Sequence, residues 1–386
     1  MKTSRYLIVG GGMSGDAAAQ GIRERDPEGA ITLVGDEAHP PYKRPPLTKG
    51  LWKGGDEEKI WKGTADRGVD LVLGRRVASL DLAAKRATDD AGGEYAYEKV
   101  LLATGGRPRR LDRADDGVVY FRTLDDYHAL RAAAGGTGAR VVVVGGGFIG
   151  SELAAALVGA GASVTMVFPE AGIGSRLFPA HLAAFVTAYY REQGVEVLAE
   201  ETVVSVERGR VTLGSGRVLD ADVVVAGLGI EPRTELAEAA GLPVDNGIVV
   251  DEYGRVDGRD DVFACGDVAS FPVPALGRRF RVEHEDHANS HGKIVGANMA
   301  GAGQPYDHVP FFYSDLFDLG YEAVGEVDAR HAIVERWEEP NRKGVVAYVD
   351  DEQRPRGYLL WNTWDKVDAA TERIRAAQPV DEGALV

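Results

Sequence analysis

The sequence predicts an α/β protein built from two doubly wound parallel-sheet domains, with a small α+β domain at its C-terminal end. Three observations predict this. The decapeptide Tyr6 to Gly15 (YLIVGGGMSG) recurs as Val141 to Gly150 (VVVVGGGFIG). Each copy opens on an apolar run that is too short for a helix and has no alternation, so it reads as a strand buried on both faces. The last ~80 residues change character, toward short strand-like runs and one helix.

Taken in order, Ala17 to Arg25 and Leu153 to Ala160 read as the helices that follow the two glycine turns. Ile31 to Val34 and Val164 to Val167 read as the second strands, so each copy is a βαβ unit. Lys99 to Ala103 and Val223 to Ala226 are further buried strands, ending in Thr104-Gly105-Gly106 and in Gly227-Leu228-Gly229. Val262 to Cys265, closed by Gly266-Asp267, reads as a strand that returns to the first sheet, with a helical stretch after it to about Met299. Val345 to Val349 and Tyr358 to Trp361 are short strands, and Lys366 to Ala377 is a helix. The boundaries that follow are 1–110 for the first part of the first domain and 111–246 for a second domain inserted in it. Residues 247–305 complete the first domain, and 306–386 form the C-terminal α+β domain.

Composition narrows the function classes. The chain has 386 residues, 44% of them hydrophobic, and a formal charge of −16. That charge argues against nucleic acid as a partner, because binding there depends on neutralising phosphates with Lys and Arg. One cysteine, Cys265, excludes an internal disulfide, a CxxC dithiol and any cysteine-based metal cluster. No run approaches the ~18 apolar residues of a membrane helix. Tyr6 to Val9 passes straight into glycines without a cleavage-site pattern, so the expected location is cytoplasmic.

The glycines carry the chemistry. A single GxGxxG is a weak signal. Two of them, each after a buried strand and before a helix, with an acid about 25 residues beyond the first glycine, are a strong one. Gly10 and Gly145 allow the tight turn, Gly12 and Gly147 let the backbone approach a pyrophosphate, and Gly15 and Gly150 let helix and strand pack closely. The helix N-terminus then offers N–H groups and partial positive charge to the phosphates. The acids are Asp36, with Glu37 beside it, and Glu170, placed to accept hydrogen bonds from ribose hydroxyls. Glu170 would also repel a 2′-phosphate, which favours NADH over NADPH; Arg176 nearby partly offsets that repulsion. Two dinucleotides in one chain imply a relay, with FAD on the first Rossmann-like fold and NAD on the second. The late return at Gly266-Asp267 sets that order, and Asp267 is placed to bind the ribityl or pyrophosphate part of a flavin. In the second domain Gly146, Phe148, Ile149 and Gly229 join Gly147 and Gly150 as dinucleotide-binding positions.

At these residues the sequence resembles the FAD-dependent NAD(P)H oxidoreductases that include apoptosis-inducing factor and the ferredoxin and rubredoxin reductases. The resemblance is nearest to apoptosis-inducing factor. It is carried by Pro41 to Lys49 (PYKRPPLTK), Gly147 to Leu153 (GFIGSEL), Phe168-Pro169-Glu170, Val282 to Ala288 (VEHEDHA) and Gly320 to Gly325 (GYEAVG).

The resemblance implies that Arg44 and Lys49 lie over the flavin ring, with Lys49 paired to Glu152; these two are the expected catalytic residues. A cation there favours an electron-rich flavin, and the carboxylate offsets the cost of placing that cation in a poorly solvated site. It also implies that Val77, Arg122, His284 and Glu285 contact flavin. Glu283 and Glu322 would contact nicotinamide, and Tyr313 would shield the nicotinamide side. Glu285 stands where apoptosis-inducing factor has histidine, and an acid there disfavours negative charge on the ring. His287 and His291, four residues apart, have metal-like spacing, but the acids around them read as helix-capping groups, and no metal is expected.

The expected function is therefore an FAD-dependent NADH oxidoreductase that passes electrons to a ferredoxin, a quinone or oxygen. One alternative is the ferredoxin reductase component of an oxygenase chain, docking through Arg107, Arg109, Arg110 and Arg113. A rival from another class is an NADH-sensing flavoprotein that switches oligomeric state, for instance to a homodimer.

Overall fold

The computed structural model describes residues 1–115, 117–134, 138–381 and 383. The chain forms two compact units. The first comprises Met1–Lys43, Glu57–Arg107 and Glu231–Pro310; the second comprises Arg44–Asp56, Pro108–Ile230 and Phe311–Val386.

The first unit is built on a seven-stranded sheet. Its centre is Lys2–Val9, paired in parallel with Ile31–Val34 on one side and Glu94–Leu102 on the other. The late strand Val262–Ala264 pairs in parallel with Glu94–Leu102, so the chain does return to this sheet after a long excursion. The helix Met13–Arg25 follows the first glycine turn. It packs on the helix Glu285–Met299, where glycines set the closeness: a Cβ at Gly292 or Gly296 would collide with the backbone of Ser14 or Ala18. Tyr6, Ile8, Ile22, Leu33, Phe263 and Val295 fill the core below.

The second unit carries a five-stranded parallel sheet whose middle strand, Arg140–Val144, lies between Ser163–Val167 and Val223–Ala226. The helix Phe148–Gly159 follows the second glycine turn. The same unit holds a five-stranded antiparallel sheet made from Phe311–Leu316, Leu319–Gly325, Ala332–Glu339, Lys343–Val349 and Pro355–Trp361, followed by the helix Val367–Ala376.

Two local expectations are corrected. The helix expected from Asp267 onward begins only at Glu285; strands Ala269–Val273 and Arg278–Phe280 precede it as an antiparallel pair. Pro272 and Pro274 explain this, since each removes a backbone donor that a helix interior needs. The C-terminal strands are more numerous than expected, because Phe311–Leu316 buries Phe312, Ser314 and Leu316 while exposing Tyr313. A buried serine and an exposed tyrosine hide the alternation that would mark a strand.

Candidate active site: two nucleotide cradles and a charge clamp

The two fingerprints fold alike for one physical reason. Gly10 has φ +123° and Gly145 has φ +120°, a backbone region that side-chain-bearing residues rarely enter. A Cβ at Gly10 would strike the Ala103 carbonyl, and one at Gly145 would strike that of Gly227. A Cβ at Gly15 or Gly150 would strike the carbonyl of the first glycine of its own turn. These four positions are closed by the protein itself.

Gly12 and Gly147 differ. A Cβ at either would meet no protein atom within 4 Å. Each is the N-cap of a long helix and offers no capping side chain. The space over them is not needed for packing, and helix N–H groups point toward it, which fits a pyrophosphate at both places.

The acids at the strand ends are engaged. Asp36 forms an ion pair with Arg233, and Glu37 accepts a hydrogen bond from the Tyr42 hydroxyl at 2.5 Å. In the second unit Glu170 Oε1 accepts both Arg176 Nε (3.0 Å) and Nη2 (2.7 Å). Arg176 extends from the surface, with its side chain 85% exposed.

Other expected flavin-side residues of the first unit lie on its sheet and on the approach to the late helix. Val77 is a buried strand residue, and Asp267 follows Gly266 in a single 3-10 turn just beyond the late strand. His284 is the N-cap of the helix Glu285–Met299, which therefore opens on Glu285. Glu283 pairs with Arg281 at 2.6 Å.

His287 and His291 are fully buried in that helix. His287 stacks on Phe271 with centroids 4.5 Å apart, and its Nδ1 lies 3.1 Å from the Tyr306 hydroxyl. His291 Nδ1 accepts the Gly266 N–H at 3.3 Å, which places the proton of the neutral ring on Nε2. Burial holds the His287 imidazole down at about 4 and puts that of His291 well below its ordinary value. Among the described residues no group of three or more metal-ligating side chains gathers.

The second unit holds the charge clamp. Lys49 ends a proline-rich loop in which Pro45–Leu47 forms a 3-10 turn. Its Nζ lies 2.7 Å from Oε1 of Glu152, which is buried in the helix Phe148–Gly159. Ser314 Oγ donates to the same oxygen at 2.6 Å, and Thr48 Oγ1 donates to Oε2 at 2.5 Å. Lys49 Nζ also sits 5.0 Å over the ring of Tyr313. On the neighbouring antiparallel strand Glu322 lies directly opposite Tyr313; burial, reinforced by Asp365, pushes its carboxyl up. Arg44 donates to the Arg122 carbonyl at 2.6 Å, tying the loop to the segment before the helix Leu124–Ala134. Phe148 meets Phe312 edge to face, centroids 5.1 Å apart, and Gly229 has φ +79° with nothing facing it. The sequence singled out Lys49 and Glu152 but not Thr48 or Ser314. Thr48 adjoins Lys49 and was legible as a neighbour; Ser314 left no signal.

Cys265 is the N-cap of the turn that contains Asp267 and is fully buried. Burial, with Asp267 adding to it, pushes its thiol well up, away from the reactive thiolate.

Two pyrophosphate cradles on parallel sheets, with a buried ammonium–carboxylate pair in place of a reactive thiol, define an FAD- and nicotinamide-dependent oxidoreductase. The chain belongs to the pyridine nucleotide-disulphide oxidoreductase family, whose model matches residues 4–292. A second model, described as apoptosis-inducing factor, mitochondrion-associated, C-term, matches residues 295–342. Apoptosis-inducing factor 1, mitochondrial, of Dictyostelium discoideum is 32% identical over 424 residues, covering 98% of this chain and 79% of that protein. The anthranilate 1,2-dioxygenase system ferredoxin–NAD(+) reductase component of Burkholderia cepacia is 36% identical over 353 residues, covering 87% of this chain and 85% of that one. The solved covalent complex of putidaredoxin reductase with putidaredoxin matches with a TM-score of 0.92 at 30% identity, over 99% of this chain and 95% of that chain. The chain is thus an FAD-dependent oxidoreductase that accepts hydride from a nicotinamide dinucleotide. No helix among the described residues is long and apolar enough to cross a membrane.

Proposed function

We propose that this oxidoreductase takes hydride from NADH in preference to NADPH and delivers electrons singly to an iron–sulfur ferredoxin. The observation that carries the acceptor is the near full-length likeness to a reductase solved in complex with its ferredoxin-type partner. The burial of Cys265 supports it from the other side, since a dithiol route for the electrons has no thiol to use.

When bound, the flavin supplies the hydride acceptor and the step from two-electron to one-electron chemistry. In this reading Gly10, Gly12, Gly15, Asp36, Glu37, Arg44, Lys49, Val77, Arg122, Asp267, His284 and Glu285 serve FAD. Gly146, Gly147, Phe148, Ile149, Gly150, Glu170, Arg176, Gly229, Glu283, Tyr313 and Glu322 serve the nicotinamide dinucleotide. Lys49 holds positive charge where negative charge develops, and Glu152 keeps that ammonium in place. Glu322, its carboxyl pushed up by burial, offers a carboxyl acceptor to a carboxamide. Glu170 favours two free ribose hydroxyls over a 2′-phosphate.

Docking of an acidic ferredoxin would use Arg109, Arg110 and Arg113 rather than Arg107, because Arg107 is occupied by Glu231 and Glu235. The test is anaerobic NADH titration of the flavin-loaded protein followed by ferredoxin reduction at several salt concentrations. The expected result is bleaching of the flavin and reduction that slows severalfold from about 0.05 to 0.5 M salt. Absence of ferredoxin reduction at every salt concentration overturns the acceptor assignment.

A second reading, an NADH-sensing flavoprotein, is favoured by the match to the C-terminal segment of apoptosis-inducing factor. Slow reoxidation by every acceptor, with an NADH-dependent change in sedimentation, would select it.

A further inference from the structure

We propose that Ser314 and Thr48 are positioning residues that fix the charge and orientation of Glu152. The inference rests on reading Lys49 and Glu152 as part of the hydride-transfer site.

The geometry begins with Glu152. Its side chain is only 7% exposed, so an ionised carboxylate there needs donors. It has three: Lys49 Nζ and Ser314 Oγ on Oε1, and Thr48 Oγ1 on Oε2. Both hydroxyl residues are themselves buried, Ser314 at 1% and Thr48 at 5% exposure. Neither side chain is placed there by hydrophobicity, so the hydroxyls are what the site keeps.

Ser314 has one hydroxyl proton, and it goes to Glu152. Tyr321 lies directly across the strand pair from Ser314. Phe178 holds Tyr321 edge to face with centroids 5.2 Å apart, and Trp361 stacks on it at 5.7 Å. The antiparallel sheet reaches the carboxylate through Ser314, whose cross-strand partner is this anchored tyrosine.

The titratable groups facing Glu152 are Lys49 from the proline-rich loop, Tyr321 from the antiparallel sheet and Tyr190 from the helix Ala180–Glu192. Both phenols are pushed far up by burial, with the Glu152 charge adding to it, so they stay neutral. Among the described residues Lys49 is the ion paired with the carboxylate, and the hydroxyls decide how firmly that pair is held.

The test is difference infrared spectroscopy of the flavin-loaded protein, reading the protonated-carboxyl band that disappears in Glu152→Gln. A hydrogen bond to a charged group contributes about 1–2 pH units of preference for the ionised form. In Ser314→Ala the Glu152 band is expected to grow in about 1–2 pH units above its position in the wild type. The acid limb of NADH-driven flavin reduction should move by the same amount. Thr48→Val should shift the band in the same direction, and Ser314→Thr, which keeps the hydroxyl, should restore it. Thr48→Val also keeps the test open if Ser314→Ala does not fold. A merely structural role would lower Tm without moving the band. An unmoved band in Ser314→Ala and Thr48→Val overturns the proposal. A moved band with an unmoved acid limb leaves the positioning role standing and removes the pair from the hydride-transfer site.

Discussion

Lys49 and Glu152 form a buried ion pair, Nζ to Oε1 at 2.7 Å, that ties a proline-rich loop to the helix of the second glycine fingerprint. Its cost is desolvation of both charges, and its geometry offsets that cost with two further hydroxyl donors. Removing one partner strands the other. Lys49→Met is therefore expected to destabilise the second unit by about 3–5 kcal/mol. It should also slow NADH-driven flavin reduction by about 10²–10³-fold if the ammonium stabilises developing charge. Thermal unfolding and stopped-flow absorbance check the two effects separately.

The two glycines at the open cradles separate fold from function. At Gly147 the backbone is extended (φ −88°, ψ −165°) and a Cβ would meet nothing, so Gly147→Ala should leave Tm unchanged. The methyl group would stand where a pyrophosphate approaches, so the NADH dissociation constant should rise more than about tenfold. Gly145→Ala is the control. Its φ of +120° and the Gly227 carbonyl behind it predict a large fall in Tm. Isothermal titration with NADH and a melting curve for each variant decide the matter.

Arg176 places two of its donor nitrogens on one oxygen of Glu170. The arginine is 85% exposed, so the pair adds little to stability. Glu170→Gln frees the guanidinium and removes the repulsion. The ratio of kcat/KM for NADPH to that for NADH should rise at least about tenfold. Arg176→Ala should lower NADPH use more than NADH use. Steady-state assays with both donors provide the check.

Acid stability follows from His287 and His291. The unfolded chain takes up protons on them near the ordinary value of 6.5, while burial holds the folded His287 to about 4 and puts His291 well below the ordinary value. Below about 6.5 the unfolded state binds more protons, so stability must fall with pH down to about 4 and level off for His287 below that. His287→Phe, which preserves the stack on Phe271, should flatten part of this slope. Urea unfolding at pH 7.5, 6 and 5 would show it; a variant with the wild-type slope would contradict it.

Cys265 should prove inert. Its thiol is fully buried and pushed up, so Cys265→Ala should leave the rate of flavin reduction within about twofold of the wild type. Alkylating reagents should label it only on unfolding.

The local parts of this molecule could be read directly from its residues. A turn such as Gly10 to Gly15 is specified by backbone geometry within a few positions, so both cradles, their flanking strands and their helices were expected where they stand. The proline-rich loop and its lysine were legible through resemblance, which is itself a record of linear strings.

What tertiary structure alone decided lies in contacts between distant residues. Ser314 meets Glu152 across 162 positions, and Thr48 meets it across 104. A lone serine in FFYSDL carries no pattern that marks it as buried. It is buried because a carboxylate on another element needs a donor there. The same holds for His287 and His291, whose spacing is metal-like in the sequence but which Phe271 and Tyr306 enclose in the fold. Chain geometry writes itself locally and can be read from a string; desolvation is imposed by whichever groups the fold brings together, and no short stretch of sequence contains them all.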